Sequence, residues 1–517
     1  MSAPDEPPGS VWRWPLPLGF VWLAIPVVGI VLRIAFDPVP PHDYWWHLAA
    51  GRYIDATGNL PAQNLFLYTL PVEAPFVDQP WLGQWILYRS FELGGHAGPY
   101  LLRAVVTAAT WLGVVWSAGR RCEDPRVVGG FGLVAVVVSA GVFSVRTRIF
   151  AFPLFVAIVG ILFEVADGRV DKRALYLIPP LTALWANLHG SFVLAPILVA
   201  LVAACVAFGD GFDETEATPS VWAGTAVATL LASCANPHGF DVYRYAWEIA
   251  LTSDVASTVT EWQAPELLSA YGAFVSVALI ASVAVMFARR RQIPVYEWVV
   301  LLFGTALAAT AVRSVFWWAA VALLVVPRHL AGLLVAEGSW RSHTKPLQGA
   351  IHLVVVGVLA ASCLLVQPGM PGFAGRTRLL GDHVRQTGPG RALLSSRHPI
   401  EAVERLAEME LEGRVFHDQA VGGLLDFRLG LADPERPRRV AFVDARMGLI
   451  PAEVWKDYFA ISAAAHGWRE KLEKWNVDAL LLHPDEQRAL IDAVREDAGW
   501  ELEMTDGQHL LLIRDLH

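Results

Sequence analysis

Residues 18–47 read LGFVWLAIPVVGIVLRIAFDPVPPHDYWWH, a stretch that passes from one solvent to another. From Leu18 to Phe36 the only charged residue is Arg33. Wound as an α-helix, a run of this length approaches the ~30 Å depth of a bilayer's hydrocarbon layer. At Asp37 the character changes: three prolines, two histidines, an acid and a tryptophan pair follow within a few residues. The apolar run is too long for the core of a secretory signal, and no small-residue cleavage site follows it. It predicts a first membrane helix that is kept, with Trp45–Trp46 at the headgroup layer, where a ring that is apolar with one polar N–H is most stable.

The same pattern recurs downstream. The chain has 517 residues, 17% of them charged and 55% hydrophobic, against about 25% charged in soluble proteins. The deficit is confined to Leu18–Val366, where charges fall in clusters between apolar runs of about 17 to 22 residues. These runs predict about eleven membrane helices, near 18–36, 98–118, 127–145, 149–166, 174–188, 191–208, 220–235, 269–288, 295–312, 314–334 and 348–366. The segment 80–93 is too short to cross comfortably and predicts an interfacial or re-entrant helix. From Arg376 onward the charge density is that of a soluble domain. With a net charge of −9 and no basic patch, nothing here would track a nucleic-acid backbone. The four cysteines show neither metal spacing nor a disulfide framework.

Basic residues set the expected orientation. With the N-terminal tail 1–17 cytoplasmic and 80–93 interfacial, the clusters Arg120–Arg121–Arg126, Arg169–Lys172–Arg173, Arg289–Arg290–Arg291 and Arg328–Arg341–Lys345 all fall inside, as the positive-inside rule requires. The membrane domain then spans 18–368, with a first outer loop at 37–97 and a second at 236–268. The region 369–517 becomes an extracytoplasmic α/β domain. In it, 391–395, 414–417, 440–444 and 477–483 read as buried strands, 400–409, 452–464 and 485–497 as helices, and 502–513 as a hairpin about Asp506–Gly507. No phosphate loop, nucleophile elbow or metal motif occurs there.

The same parity gathers a second set of residues outside: His42, Asp43, His47, Asp78, Arg103, Arg146, Arg148, His189, Asn236, His238, Glu261 and Arg313. Ionisable groups beside membrane segments are costly and usually face a cavity or a partner, although an arginine at a helix end can simply snorkel. Asp43 and His47 are four apart and share a helix face. A carboxylate there can act as a general base, hold a cation, or do no more than cap a helix. Asp78 is a second carboxylate at the far end of the same loop. His42, His47, His189, His238 and Glu261 are candidates for substrate or metal contacts. Arginines near a membrane surface suit phosphate oxygens, because the guanidinium fork matches them.

The stretch Asp43-Tyr-Trp-Trp-His-Leu-Ala-Ala-Gly-Arg-Tyr-Ile, with Gly58-Asn-Leu-Pro, Phe66-Leu-Tyr-Thr, Gln79-Pro-Trp-Leu, Arg146-Thr-Arg, Trp185-Ala-Asn-Leu-His-Gly, Asn236-Pro-His-Gly, Glu261-Trp-Gln and Arg313-Ser, resembles a bacterial group of GT-C superfamily membrane glycosyltransferases. That superfamily includes oligosaccharyltransferases, protein O-mannosyltransferases and lipid A aminoarabinose transferases. The resemblance covers the whole chain and implies a GT-C-like helical membrane protein of the bacterial plasma membrane. It implies a sugar donor linked to polyprenyl phosphate or diphosphate, and a lipid, glycan or protein acceptor. Asp43 takes the place of the loop acid that serves as base or metal ligand, and Asp78 that of a further acid, with Gln79 where relatives tend to place one. Arg103, Arg146, Arg148 and Arg313 would meet the phosphate. A divalent cation (Mg, Mn or Zn) is compatible with the resemblance but not required by it. The alternative is a non-catalytic binder or assembly partner for lipid-linked glycans on the same scaffold. An ion-coupled transporter would carry midplane charges and internal repeats, and neither is evident.

Overall fold

The computed structural model describes residues 16–208, 217–248, 260–334, 345–384, 392–409 and 414–515. Among these, seven helices are long and apolar enough to cross a bilayer: Ala97–Arg121, Pro125–Val142, Thr147–Ala166, Gly190–Phe208, Ala270–Ala288, Val312–Leu334 and Pro346–Leu365. Three shorter apolar helices, Gly19–Ala35, Pro219–Ala232 and Val295–Thr310, stand where the sequence places spans. The remaining expected span, 174–188, is a 3-10 turn Lys172–Leu177 followed by an 11-residue α-helix Ile178–Leu188. Its prolines fall in the first helical turn, where the missing N–H costs nothing. The segment expected at 80–93 forms a 14-residue helix, Trp81–Gly94.

Compactness divides the chain in two, along lines other than the 368/369 boundary read from composition. One unit comprises residues up to 35, 107–142 and 264–373; the other comprises 36–106, 143–263 and 374–517. In the first, the helix Val315–Leu334 forms the centre, buried without a break from Val315 to Pro327. A helix apolar all round needs such a setting. Pro125–Ser139 packs on it and on Gly19–Ala35, the latter so closely that a Cβ at Gly129 would lie 2.4 Å from the Trp22 carbonyl oxygen. Small residues allow this approach where the hydrophobic effect cannot drive association. Pro346–Leu365 buries only Gly349, as a lipid-facing helix would. Inside this unit the buried Glu297 carboxylate meets Arg121, Arg328 (2.6 Å) and His329 (2.8 Å).

In the second unit, the helices His42–Thr57 and Trp81–Gly94 pack together. A four-stranded sheet is built from β1 (Arg414–His417), β2 (Val477–Leu482), β3 (Trp500–Asp506) and β4 (His509–Arg514), in the order β1-β2-β4-β3. β1 and β2 are parallel and the other pairs antiparallel, with Val415 opposite Ala479 and Leu480 opposite Leu512. β2 is a near-continuous apolar run, as a strand covered on both faces should be.

The segment 440–444 is not a strand of this sheet. Ala441 makes single bridges to Leu67 and to Val415, because it lies between the chain around Leu67 and β1. At 391–395, Arg391 lies outside the described residues and Leu394 bridges Val39. Further ties run the same way: the Thr69 hydroxyl donates to the Phe442 carbonyl (2.6 Å), and the Tyr68 hydroxyl to that of Val415 (3.2 Å). A Cβ at Gly423 would stand 2.8 Å from the Trp46 nitrogen. The C-terminal region is thus packed directly on the helix that carries Asp43.

Candidate active site

Asp43 lies in the first turn of His42–Thr57, where unpaired N–H groups and the helix dipole favour a carboxylate. Its Oδ1 accepts from Trp46 Nε1 (3.1 Å) and its Oδ2 lies 3.0 Å from Arg146 Nε. Arg146 has extended backbone just before the 3-10 turn Thr147–Phe150. From there its guanidinium also donates through Nη1 to both Glu261 oxygens (2.8 and 3.1 Å). Arg148 Nη2 reaches Glu261 at 3.4 Å. Two acids and two guanidinium groups therefore alternate along one line. Burial alone would push Asp43 up, but Arg146, helped by His47 and the Trp46 hydrogen bond, holds it below the usual carboxylate range. Glu261 is likewise held down by Arg146 and Arg148 against burial. Both acids are charged at neutral pH.

A second group adjoins the first. Asp78 is fully buried and neither carboxylate oxygen has a hydrogen-bond partner; the same holds for both ends of the buried Gln84 carboxamide. Burial pushes Asp78 up to about 7, opposed by the nearby Gln84 amide and by Arg446. Arg446 comes from the C-terminal region. It is paired with Asp444 and lies 3.9 Å from Asp426. Its guanidinium stacks over the rings of Phe66 (4.2 Å), Phe76 (5.1 Å) and Trp46 (5.7 Å), a cation–π cage that stabilises a desolvated charge. Burial and the Asp444 charge push Asp426 well above the usual range. His47, driven down to about 4 by burial, is a neutral imidazole. Trp46 joins the two groups, with its N–H on Asp43 and its face under Arg446.

The structure brings Asp43, Arg146, Arg148 and Glu261 together, with His47 beside them and His42 exposed at the helix start. Other candidates lie elsewhere. His189 caps a 3-10 turn, its Nδ1 accepting from the Ser191 N–H (3.1 Å). His238 belongs to a turn whose N–H is held by Asn236 Oδ1 (2.9 Å). Arg103 donates to the Asp37 carbonyl (3.2 Å) and stacks 4.6 Å from the Tyr100 ring, which Arg376 also approaches at 5.5 Å. Arg313 belongs to the other compact unit, in the turn Val312–Ser314. The Trp-Ala-Asn-Leu-His-Gly and Gln-Pro-Trp motifs act as framework: Gln79 donates to the Ala186 carbonyl (2.6 Å), Trp81 to Asn187 Oδ1 (2.8 Å), and Asn187 to the Ala235 carbonyl (2.7 Å).

Among the described residues no three His, Cys, Asp or Glu side chains gather as metal ligands. Both Asp43 oxygens are engaged by Trp46 and Arg146. The residues present do not fit a divalent ion. Sequence reading missed Arg446, Asp444 and Asp426. The available signal was Asp444-Ala-Arg446 closing the apolar run Val440–Val443, since charge on a buried segment needs a partner or a purpose.

No protein-family model matches the chain, and no curated protein matches its sequence. Solved structures do. ArnT from Cupriavidus metallidurans, bound to undecaprenyl phosphate, superposes with a TM-score of 0.50 at 12% identity, over 96% of this chain and 98% of its own. The oligosaccharyltransferase AglB from Archaeoglobus fulgidus, with an inhibitory peptide and a dolichol-phosphate, gives 0.50 at 11% identity, over 95% and 74%. The apo form of the Archaeoglobus fulgidus oligosaccharyltransferase gives 0.52 at 11%, over 90% and 69%. The chain has a GT-C fold. Within that GT-C fold, Asp43 opens the helix His42–Thr57, and the C-terminal region packs on the same helix.

Proposed function

We propose that this chain is a glycosyltransferase that moves a sugar from a polyprenyl-phosphate (or diphosphate) carrier to an acceptor at the outer leaflet of a bacterial plasma membrane. One observation supports it above the others: the Arg146 guanidinium is shared between Asp43 and Glu261, so a phosphate-binding cation and a base lie one side chain apart. The carriers seen in ArnT and AglB, undecaprenyl phosphate and a dolichol-phosphate, are of the class this arrangement suits.

In this reading the carrier phosphate takes the Arg146 and Arg148 forks, displacing Glu261. A charge-assisted, bidentate contact is the stronger one. Asp43 accepts the proton of the acceptor hydroxyl. The hydroxyl oxygen attacks the anomeric carbon as the bond to the phosphate oxygen breaks, and the electron pair leaves with the carrier. Asp43 is a weak base while Arg146 holds it. As negative charge develops on the leaving phosphate, the guanidinium turns toward it, and the carboxylate gains basicity when the hydroxyl proton becomes acidic. The displacement is direct, with inversion. No step is routed through a metal.

The test is transfer by the full chain in liposomes containing polyprenyl-phosphate-linked sugars. Asp43→Asn should bind the carrier, fold normally and form no product. Normal transfer by that variant overturns the assignment. Tight carrier binding with no product from the native chain, whatever the acceptor, would make it a glycan-binding partner instead.

A further inference from the structure

Asp78 and Gln84 have no role in the reaction as drawn, yet they are the most anomalous polar groups of the site. Both are 0% exposed, and four side-chain polar atoms in all lack partners: Asp78 Oδ1 and Oδ2, and Gln84 Nε2 and Oε1. Leaving a buried donor or acceptor unmade costs about 1–3 kcal/mol, and native proteins rarely tolerate it without a bound molecule or a functional reason. The two side chains are close enough for the Gln84 amide to stabilise the Asp78 carboxylate. Arg446 offsets the burial of Asp78 only in part, because its guanidinium is paired with Asp444.

We infer that Asp78 and Gln84 form a glycosyl subsite that takes the hydroxyl groups of the donor sugar, with Arg446 and its aromatic cage as the wall. This rests on the glycosyltransferase reading and deepens it. A carboxylate accepts two hydroxyl hydrogens, and a carboxamide both donates and accepts. Side by side they match vicinal hydroxyls, which present one donor and two lone pairs each. The wall fits the same ligand: Trp46, only partly buried, can offer an apolar ring face to the C–H side of a sugar. The indole of Trp46 reaches Asp43 at 3.1 Å, so a sugar seated here has its reacting carbon near the base. Asp78 is then a binding residue and Asp43 alone moves the proton.

Such a site predicts selectivity at the sugar, because unpaired polar groups left behind by a ligand without hydroxyls penalise that ligand. Equilibrium binding is measured on the full chain in nanodiscs, with three probes: bare undecaprenyl phosphate, undecaprenyl phosphoglucose and undecaprenyl phosphomannose. The native chain should bind at least one glycosylated lipid about tenfold or more tightly than the bare one. Asp78→Asn and Gln84→Met keep shape and should reduce that preference to within about threefold, while the bare carrier still binds. Two variants on different elements guard against a local folding failure. Preference retained in both variants overturns the subsite, as does equal binding of all three lipids by the native chain. Failure of all three lipids to bind the native chain overturns the glycosyltransferase reading itself, and the subsite with it.

Discussion

Glu297 and Asp43 are both carboxylates held by arginine, one in each compact unit. Around Glu297 one acid is surrounded by Arg121, Arg328 and His329, and the acid is wholly buried. Around Asp43 the charges are balanced: Arg146 serves two acids, Arg148 also reaches Glu261, and the Asp43 and Glu261 side chains remain 23% and 37% exposed. A buried acid enclosed by cations has nothing left to offer and works as a lock. A guanidinium shared between two partly exposed acids can exchange one of them for an incoming anion. The same residue types thus give a closed cluster in one place and an exchangeable one in the other.

Substitution should separate the two. The largest effect is expected at Asp43→Asn, with transfer falling by about 10²–10⁴-fold and the unfolding midpoint in detergent little changed. If transfer survives and stability falls, Asp43 is a lock as well. Glu297→Gln should do the opposite. It strands two guanidinium groups in the interior, at a cost of about 3–5 kcal/mol, read as a loss of unfolding midpoint with transfer per folded molecule retained. Arg146→Lys keeps the charge but loses the fork, and should weaken undecaprenyl phosphate binding by roughly tenfold; unchanged binding would place the phosphate elsewhere.

A last effect is a pH dependence. Asp78 is raised in the folded protein from 3.8 to about 7, so between those values the folded state holds a proton that the unfolded state has lost. Stability must therefore decline as pH rises through that window and level off above it. Asp78→Asn, which cannot titrate, should flatten the decline. A native chain whose midpoint is equally flat from pH 4 to pH 7 would show that Asp78 is solvated after all.

Much of this was legible from residue order, for identifiable reasons. Apolar runs carry the membrane helices, because the bilayer imposes length. Asp43, Arg146, Arg148 and Glu261, grouped in the sequence reading, are joined by ion pairs. What order could not supply was reach across the chain. Arg446 lies 400 residues beyond Trp46, in a region whose composition announces only a soluble domain, and no local spacing reveals that it stacks on that indole. His189 and Arg103 looked like site residues because position alone was visible. Their contacts, with the Ser191 amide and hydroxyl and with Asp37, are made with close neighbours in the fold that residue position alone does not reveal. At 440–444 the apolar run is real, but its pairing is divided between Leu67 and Val415, so it never becomes a ladder.

The closeness of Gly423 to Trp46, together with the Val39–Leu394 and Leu67–Ala441 bridges, carries a consequence for biogenesis. The helix that bears Asp43 is made well before the surface packed on it, which follows about 380 residues later in the chain. The packing around Trp46 therefore waits on both segments. A chain that stopped short of Gly423 would leave Trp46 without the backbone that closes on it.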